Sequence, residues 1–70
     1  MTREEAERVA RRIRLGSKLG DEYAQAWCAG PDPNSWGVLV TWPSGAHEPL
    51  RSLRAAQDFC ARVGIGPVKP

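Results

Sequence analysis

The chain has 70 residues, the length of one small domain, and such a chain buries only roughly 60% of the surface its unfolded form exposes. Apolar residues at 41% and charged residues at 26% argue against disorder, while the length leaves little room for an enclosed catalytic cavity. The net charge of +2 hides an uneven distribution, because Arg3, Arg8, Arg11, Arg12, Arg14 and Lys18 supply six of the ten basic groups within the first 22 residues.

Thr2-Arg3-Glu4-Glu5 has the spacing of a capping box, with Thr2 and Glu5 each accepting from the other's backbone N–H. It predicts a helix that runs to about residue 15 and stops at Gly16, with a narrow apolar stripe of Ala6, Val9, Ala10 and Ile13. The acids Glu4, Glu5, Glu7, Asp21 and Glu22 sit at the two ends of this segment, so Arg11, Arg12, Arg14 and Lys18 carry a local positive excess. Residues 16–21 turn to Gly, Ser and Lys and read as a connector.

Residues 23–29 alternate, Tyr23, Gln25 and Trp27 on one face against Ala24, Ala26 and Cys28 on the other, and predict a first strand. The loop 30–35, with two prolines, Asp, Asn and Ser, closes a hairpin. Residues 36–42 form the strongest strand pattern, with Trp36, Val38, Val40 and Trp42 facing the core and Gly37, Leu39 and Thr41 facing away, as expected of a central strand. A "WPSG" type I turn leads to a third strand over 46–51, which Pro49 confines to an edge because it has no N–H to donate.

Ser52 is placed to cap a second helix over 53–63 that stops at Gly64. Its expected buried stripe is Leu53, Ala56, Phe59, Cys60 and Val63, and Arg54, Asp58 and Arg62 form an exposed ladder. The tail, 65–70, contains two prolines and reads as extended, with Ile65 and then Val68 against the core. The fold expected over residues 1–70 is therefore α+β: helix, three-stranded antiparallel meander in order 1-2-3, and a second helix packed on the sheet.

A "W-x-x-G" turn, Val38, Val40, Trp42 and Gly45 on the hairpin, Leu50 ending the third strand, and Ala56 with Phe59 on the following helix resemble the small N-terminal DNA-binding domain of phage-type tyrosine recombinases. The resemblance covers about residues 23–64 and implies this layout together with a sheet face that reads DNA. On that face the chain offers Arg51, with His47, Gln25 and Thr41 as polar candidates, and the 70 residues hold no recombinase catalytic segment. The layout carries over more fully than the function.

The chemistry-bearing residues are sparse. Cys28, His47 and Cys60 lack the close spacing of a structural zinc site, and both cysteines fall on faces expected to be buried, so no metal, no cofactor and no catalytic residue is expected. Asp21 and Glu22 are adjacent but would point to opposite faces of a strand, and "GSKLG" matches neither phosphate-loop spacing. No apolar run approaches the length of a bilayer span and no apolar leader is recognisable, so the expected setting is the cytoplasm, with reduced thiols and no membrane partner. A Cys28–Cys60 bridge remains the open alternative.

Two features point to a partner. Arg8, Arg11, Arg12, Arg14 and Lys18 spread over an arc of the first helix that can track phosphates, and Arg51 and Arg54 extend the patch. Set against this is a solvated face neutralised by Glu4–Arg8 and Glu7–Arg11 pairs. Trp27, Trp36, Trp42 and Tyr23 exceed what a core of this size encloses, so at least one indole should show at the surface; Trp42 and Trp27 are the candidate contacts. The expected function is a small non-enzymatic binding module of a mobile element or bacterial chromosome, acting on nucleic acid or on a nucleic-acid-handling complex, without a small-molecule substrate. The competing expectation is a protein-binding inhibitor or adaptor on an acidic protein surface, like the phage inhibitors of host nuclease complexes that counter CRISPR, and homodimerisation through the third strand is a further one.

Overall fold

A computed structural model describes residues 1–16 and 23–65. The connector residues 17–22, with Lys18, Asp21 and Glu22, and the tail 66–70, with Val68, lie outside the described residues. The order is α1 (Arg3–Gly16), β1 (Ala24–Cys28), β2 (Trp36–Thr41), β3 (His47–Leu50) and α2 (Leu53–Arg62), and the antiparallel sheet has the order β1-β2-β3. The expected α+β layout is the one observed.

Each element begins as its sequence dictates. The Thr2 hydroxyl accepts from the Glu5 N–H at 3.2 Å and the Glu5 carboxylate accepts from the Thr2 N–H at 2.8 Å, closing the capping box. The Ser52 hydroxyl accepts from the Ala55 N–H at 3.1 Å at the start of α2. At its end the Gly64 N–H donates to Ala61 O and the Ile65 N–H to Cys60 O, with Gly64 at φ 78°, a Schellman motif that delivers Ile65 to the core.

The register gives both sheet edges a physical account. The Trp42 N–H donates to Ala46 O beside the turn, so alternate pairs along β2 and β3 exchange hydrogen bonds. Pro49, opposite Leu39, falls in a pair that does not, and its missing N–H would have pointed away from the ladder. The Ala29 N–H donates to Ser35 O across the first hairpin, which by the same alternation turns the Ala24 carbonyl outward from β1. Arg14 Nη1 donates to that carbonyl at 3.0 Å, so a side chain of α1 covers the exposed edge.

Both helices pack on one face of the sheet. Ala6, Val9, Ala10 and Ile13 of α1 and Ala56, Phe59 and Cys60 of α2 form a single core with Tyr23, Ala24, Val38, Val40, Leu50 and Ile65. Leu53 and Val63 do not join the α2 stripe as expected and are 38% and 37% exposed. They stand at the two ends of a ten-residue helix, and the sheet beneath it offers only the four-residue β3 as its nearest strand. Tyr23 also departs from its expected face: it precedes β1 and its ring turns to Trp42 and Phe59, at centroid distances of 5.5 and 6.4 Å. Burial pushes its phenol pKa up, with the negative charge of Glu48 adding to the effect.

Gly37 sits where the chain leaves β3. A Cβ there would lie 2.7 Å from the Leu50 carbonyl oxygen, a backbone atom that cannot swing aside. Gly37→Ala should therefore destabilise the fold by about 1–3 kcal/mol, read as a lowered denaturant midpoint at unchanged slope. The capping box adds a pH dependence. The hydrogen bonds from Thr2 hold the Glu5 carboxyl below its ordinary pKa, so its contribution is present above the unfolded value and is lost as pH falls through the lower folded one. Helical circular dichroism should fall on acidification below about pH 4.3, and Glu5→Gln should flatten that limb.

Candidate functional site

The one-sided core leaves the opposite face of the sheet without a helix among the described residues. Register and alternation set its rows: Trp27 opposite Gly37 with Arg51 beyond, then Gln25, Leu39 and Pro49, then Thr41 and His47. In the last row the Thr41 hydroxyl and His47 Nδ1 are 3.2 Å apart. No carboxylate lies on this face among the described residues, since Glu48 points to the helix side and pairs with Arg62.

The three tryptophans have different surroundings. Trp42 is edge-on to Tyr23, at 5.5 Å and 76°, and 5.8 Å from Phe59, so it closes the rim of the core. Trp36 also packs against the core, with the Arg3 guanidinium 5.5 Å from its ring centroid. Trp27 belongs to the open face. Its Cε3 would lie 3.4 Å from a Cβ on Gly37, and the Arg51 guanidinium stands 5.0 Å from its ring centroid. All three indoles are partly exposed, but only Trp27 shows its surface away from the core.

Helical geometry sorts the basic residues of α1. At about 100° per residue, Arg11 and Arg14 fall toward β1 and Arg12 falls about a quarter-turn from Arg11 on the other flank. There its charge acts on Cys60, whose thiol burial nevertheless pushes up in pKa. Arg11, Arg14, Leu15 and Gln25 line an open groove of about 650 Å³ between α1 and the β1 edge. A second groove of about 570 Å³, lined by Glu4, Glu7, Arg8, Arg11 and Arg14, continues it toward the helix start.

The expected Glu4–Arg8 and Glu7–Arg11 pairs do not form. Glu7 instead pairs with Arg3 at 3.0 Å, one turn nearer the N-terminus, leaving Arg8 and Arg11 without an ion pair to a described carboxylate. Arg14 is committed to the Ala24 carbonyl, and Arg54 is exposed in the first turn of α2. Gln25 joins the groove to the open face, because it lines the one and lies two residues from Trp27 on the other. Leu15, 72% exposed, is the groove residue that sequence reasoning does not single out, because it lies outside the apolar stripe of α1.

No family model, no curated protein and no solved structure matches the chain. Function therefore has to be argued from this chain's own side chains.

Among the described residues no group of three His, Cys, Asp or Glu side chains is placed to hold a metal ion, and no helix is long and apolar enough to cross a membrane. The cysteines are both free. Cys60 is buried as expected, but Cys28 is exposed at the end of β1, where its thiol donates to Gly30 O at 3.2 Å. The register puts Cys28 on the helix side, yet it is exposed, so alternation alone does not settle its burial. A thiol reagent should titrate Cys28 in the native protein and Cys60 only after denaturant is added; two fast thiols in the native state would contradict the burial of Cys60.

Proposed function

We propose that the chain is a small non-enzymatic binding module for nucleic acid, acting directly or within a nucleic-acid-handling complex. The observation that carries this reading is the groove along α1, where Arg8, Arg11 and Arg14 face one open channel and Arg8 and Arg11 have no described carboxylate within ion-pair distance. Guanidinium groups form charge-assisted hydrogen bonds with phosphates and release counterions on contact.

The second reading, a protein-binding inhibitor or adaptor, is favoured by Leu15, which stands 72% exposed beside Arg11 and Arg14. Arginine is among the residue types that anchor protein interfaces, and the exposed leucine beside it adds apolar area that a partner would remove from water. The two readings differ in their response to salt. Phosphate binding weakens linearly in log–log terms, by a slope of about 0.7 to 0.9 per contact.

The test is binding of the full chain to a nucleic-acid probe between about 0.05 and 0.2 M salt. The double variant Arg8→Gln and Arg11→Gln, which spares the Arg14 bond to β1, should weaken binding at least about tenfold and lower the slope by about 1.4 to 1.8. Absence of binding at low salt would remove the nucleic-acid reading and leave the protein partner.

A further inference from the structure

We infer that the open sheet face is a stacking platform for single-stranded nucleic acid, with Trp27 and Arg51 as the base-contacting pair and the α1 groove as the phosphate track. The inference rests on the nucleic-acid reading above and narrows it to a class of ligand. It begins from the position of Trp27. Of three partly exposed indoles it alone is not packed against the core, and it lies beside Gly37 in the first row of an uncovered face. The indole is partly exposed there, so the part of its ring surface that the fold leaves uncovered is available to a ligand.

The chemistry around it selects the ligand. Arg51 is exposed, is without an ion pair among the described residues, and holds its guanidinium 5.0 Å from the indole centroid. Guanidinium and indole are both planes on which a nucleobase stacks, so a base can lie on the pair or take the place of the guanidinium over the ring. Leu39 and Pro49, side by side in the next row, extend the apolar floor, and Gln25 offers an amide to a base edge. The face carries cationic and neutral groups and no described carboxylate, which complements a polyanion.

Geometry favours a single strand over a duplex. In a duplex the bases are stacked on one another, so their π-faces are closed to a flat indole. Gln25 and Trp27 stand about 7 Å apart along β1, and Gln25 already lines the groove with Arg11 and Arg14. A chain whose phosphates follow the arginines therefore reaches the platform within a short step.

The test is a tryptophan-fluorescence titration of the full chain at about 0.05 M salt with a short oligo(dT), beside its duplex with oligo(dA). The expected result is tighter binding of the single strand with quenched emission. Trp27→Ala should lower single-strand affinity by about tenfold to a hundredfold and leave duplex affinity unchanged. Trp27→Phe, which keeps a π-face, should keep most of the affinity and lose most of the quench, and Arg51→Ala should weaken binding with the indole still in place. These two variants decide the matter if Trp27→Ala fails to fold by circular dichroism. Equal binding of single strand and duplex, unaltered in the Trp27 and Arg51 variants, would overturn the platform while leaving the basic groove as a phosphate site. Binding of neither probe would remove the nucleic-acid reading as well. Displacement of oligo(dT) by poly-glutamate at equal charge concentration would overturn the platform in favour of an acidic protein partner.

Discussion

The rest of the molecule depends on a core that lies on one side of the sheet. The apolar stripes of α1 and α2 are three or four residues wide, and together they cover one face of three short strands. There is no third helix among the described residues to cover the other. The inner face is thus closed by Val38, Val40, Leu50 and Phe59, each almost wholly buried, while Gln25, His47, Pro49 and Arg51 on the outer face stay exposed. In so small a fold this asymmetry leaves one face of the sheet open.

Gly37 connects the two sides. Its inner neighbours along β2 belong to the core, and its outer surface is occupied by the indole of Trp27 and by the backbone at Leu50 and Arg51 as the chain turns into α2. A side chain at this position would force apart the segment that brings Arg51 over Trp27. The absence of a Cβ leaves room for the indole to approach the central strand, the arrangement that offsets a glycine's cost in a sheet by covering its exposed backbone with an aromatic ring. Fold and candidate site thus share one residue.

Much of this was legible in the sequence. The capping box, the Ser52 cap, the Gly64 stop, the central position of residues 36–42 and the edge position of Pro49 each follow from a local rule in which a donor, an acceptor or a backbone angle has few alternatives. The buried stripe of α1 followed from periodicity, because a helix laid against a sheet has one face to hide. Misplacements arose where tertiary extent decides. Alternation correctly puts Cys28 on the helix side but cannot say how far that side is covered, and the stripe of α2 cannot say that the sheet beneath it is too small for Leu53 and Val63. Strand parity does not reach Tyr23, because β1 begins one residue later.

The basic residues show the same division between local and tertiary information. Counting charges along the first helix predicts one continuous arc, yet about 100° of helix rotation puts Arg12 on the other flank from Arg11, and the register of β1 turns an unpaired carbonyl toward Arg14. What remains is a shorter row, Arg8 and Arg11 with the partly committed Arg14, that continues past Gln25 onto the open face. A surface that reads a duplex groove needs polar side chains aimed at base edges. This face instead presents an indole, a leucine and a proline, with arginine at its margins. An apolar floor between cationic margins suits a ligand whose own flat apolar groups are free to leave one another, and among polyanions that property belongs to an unpaired strand.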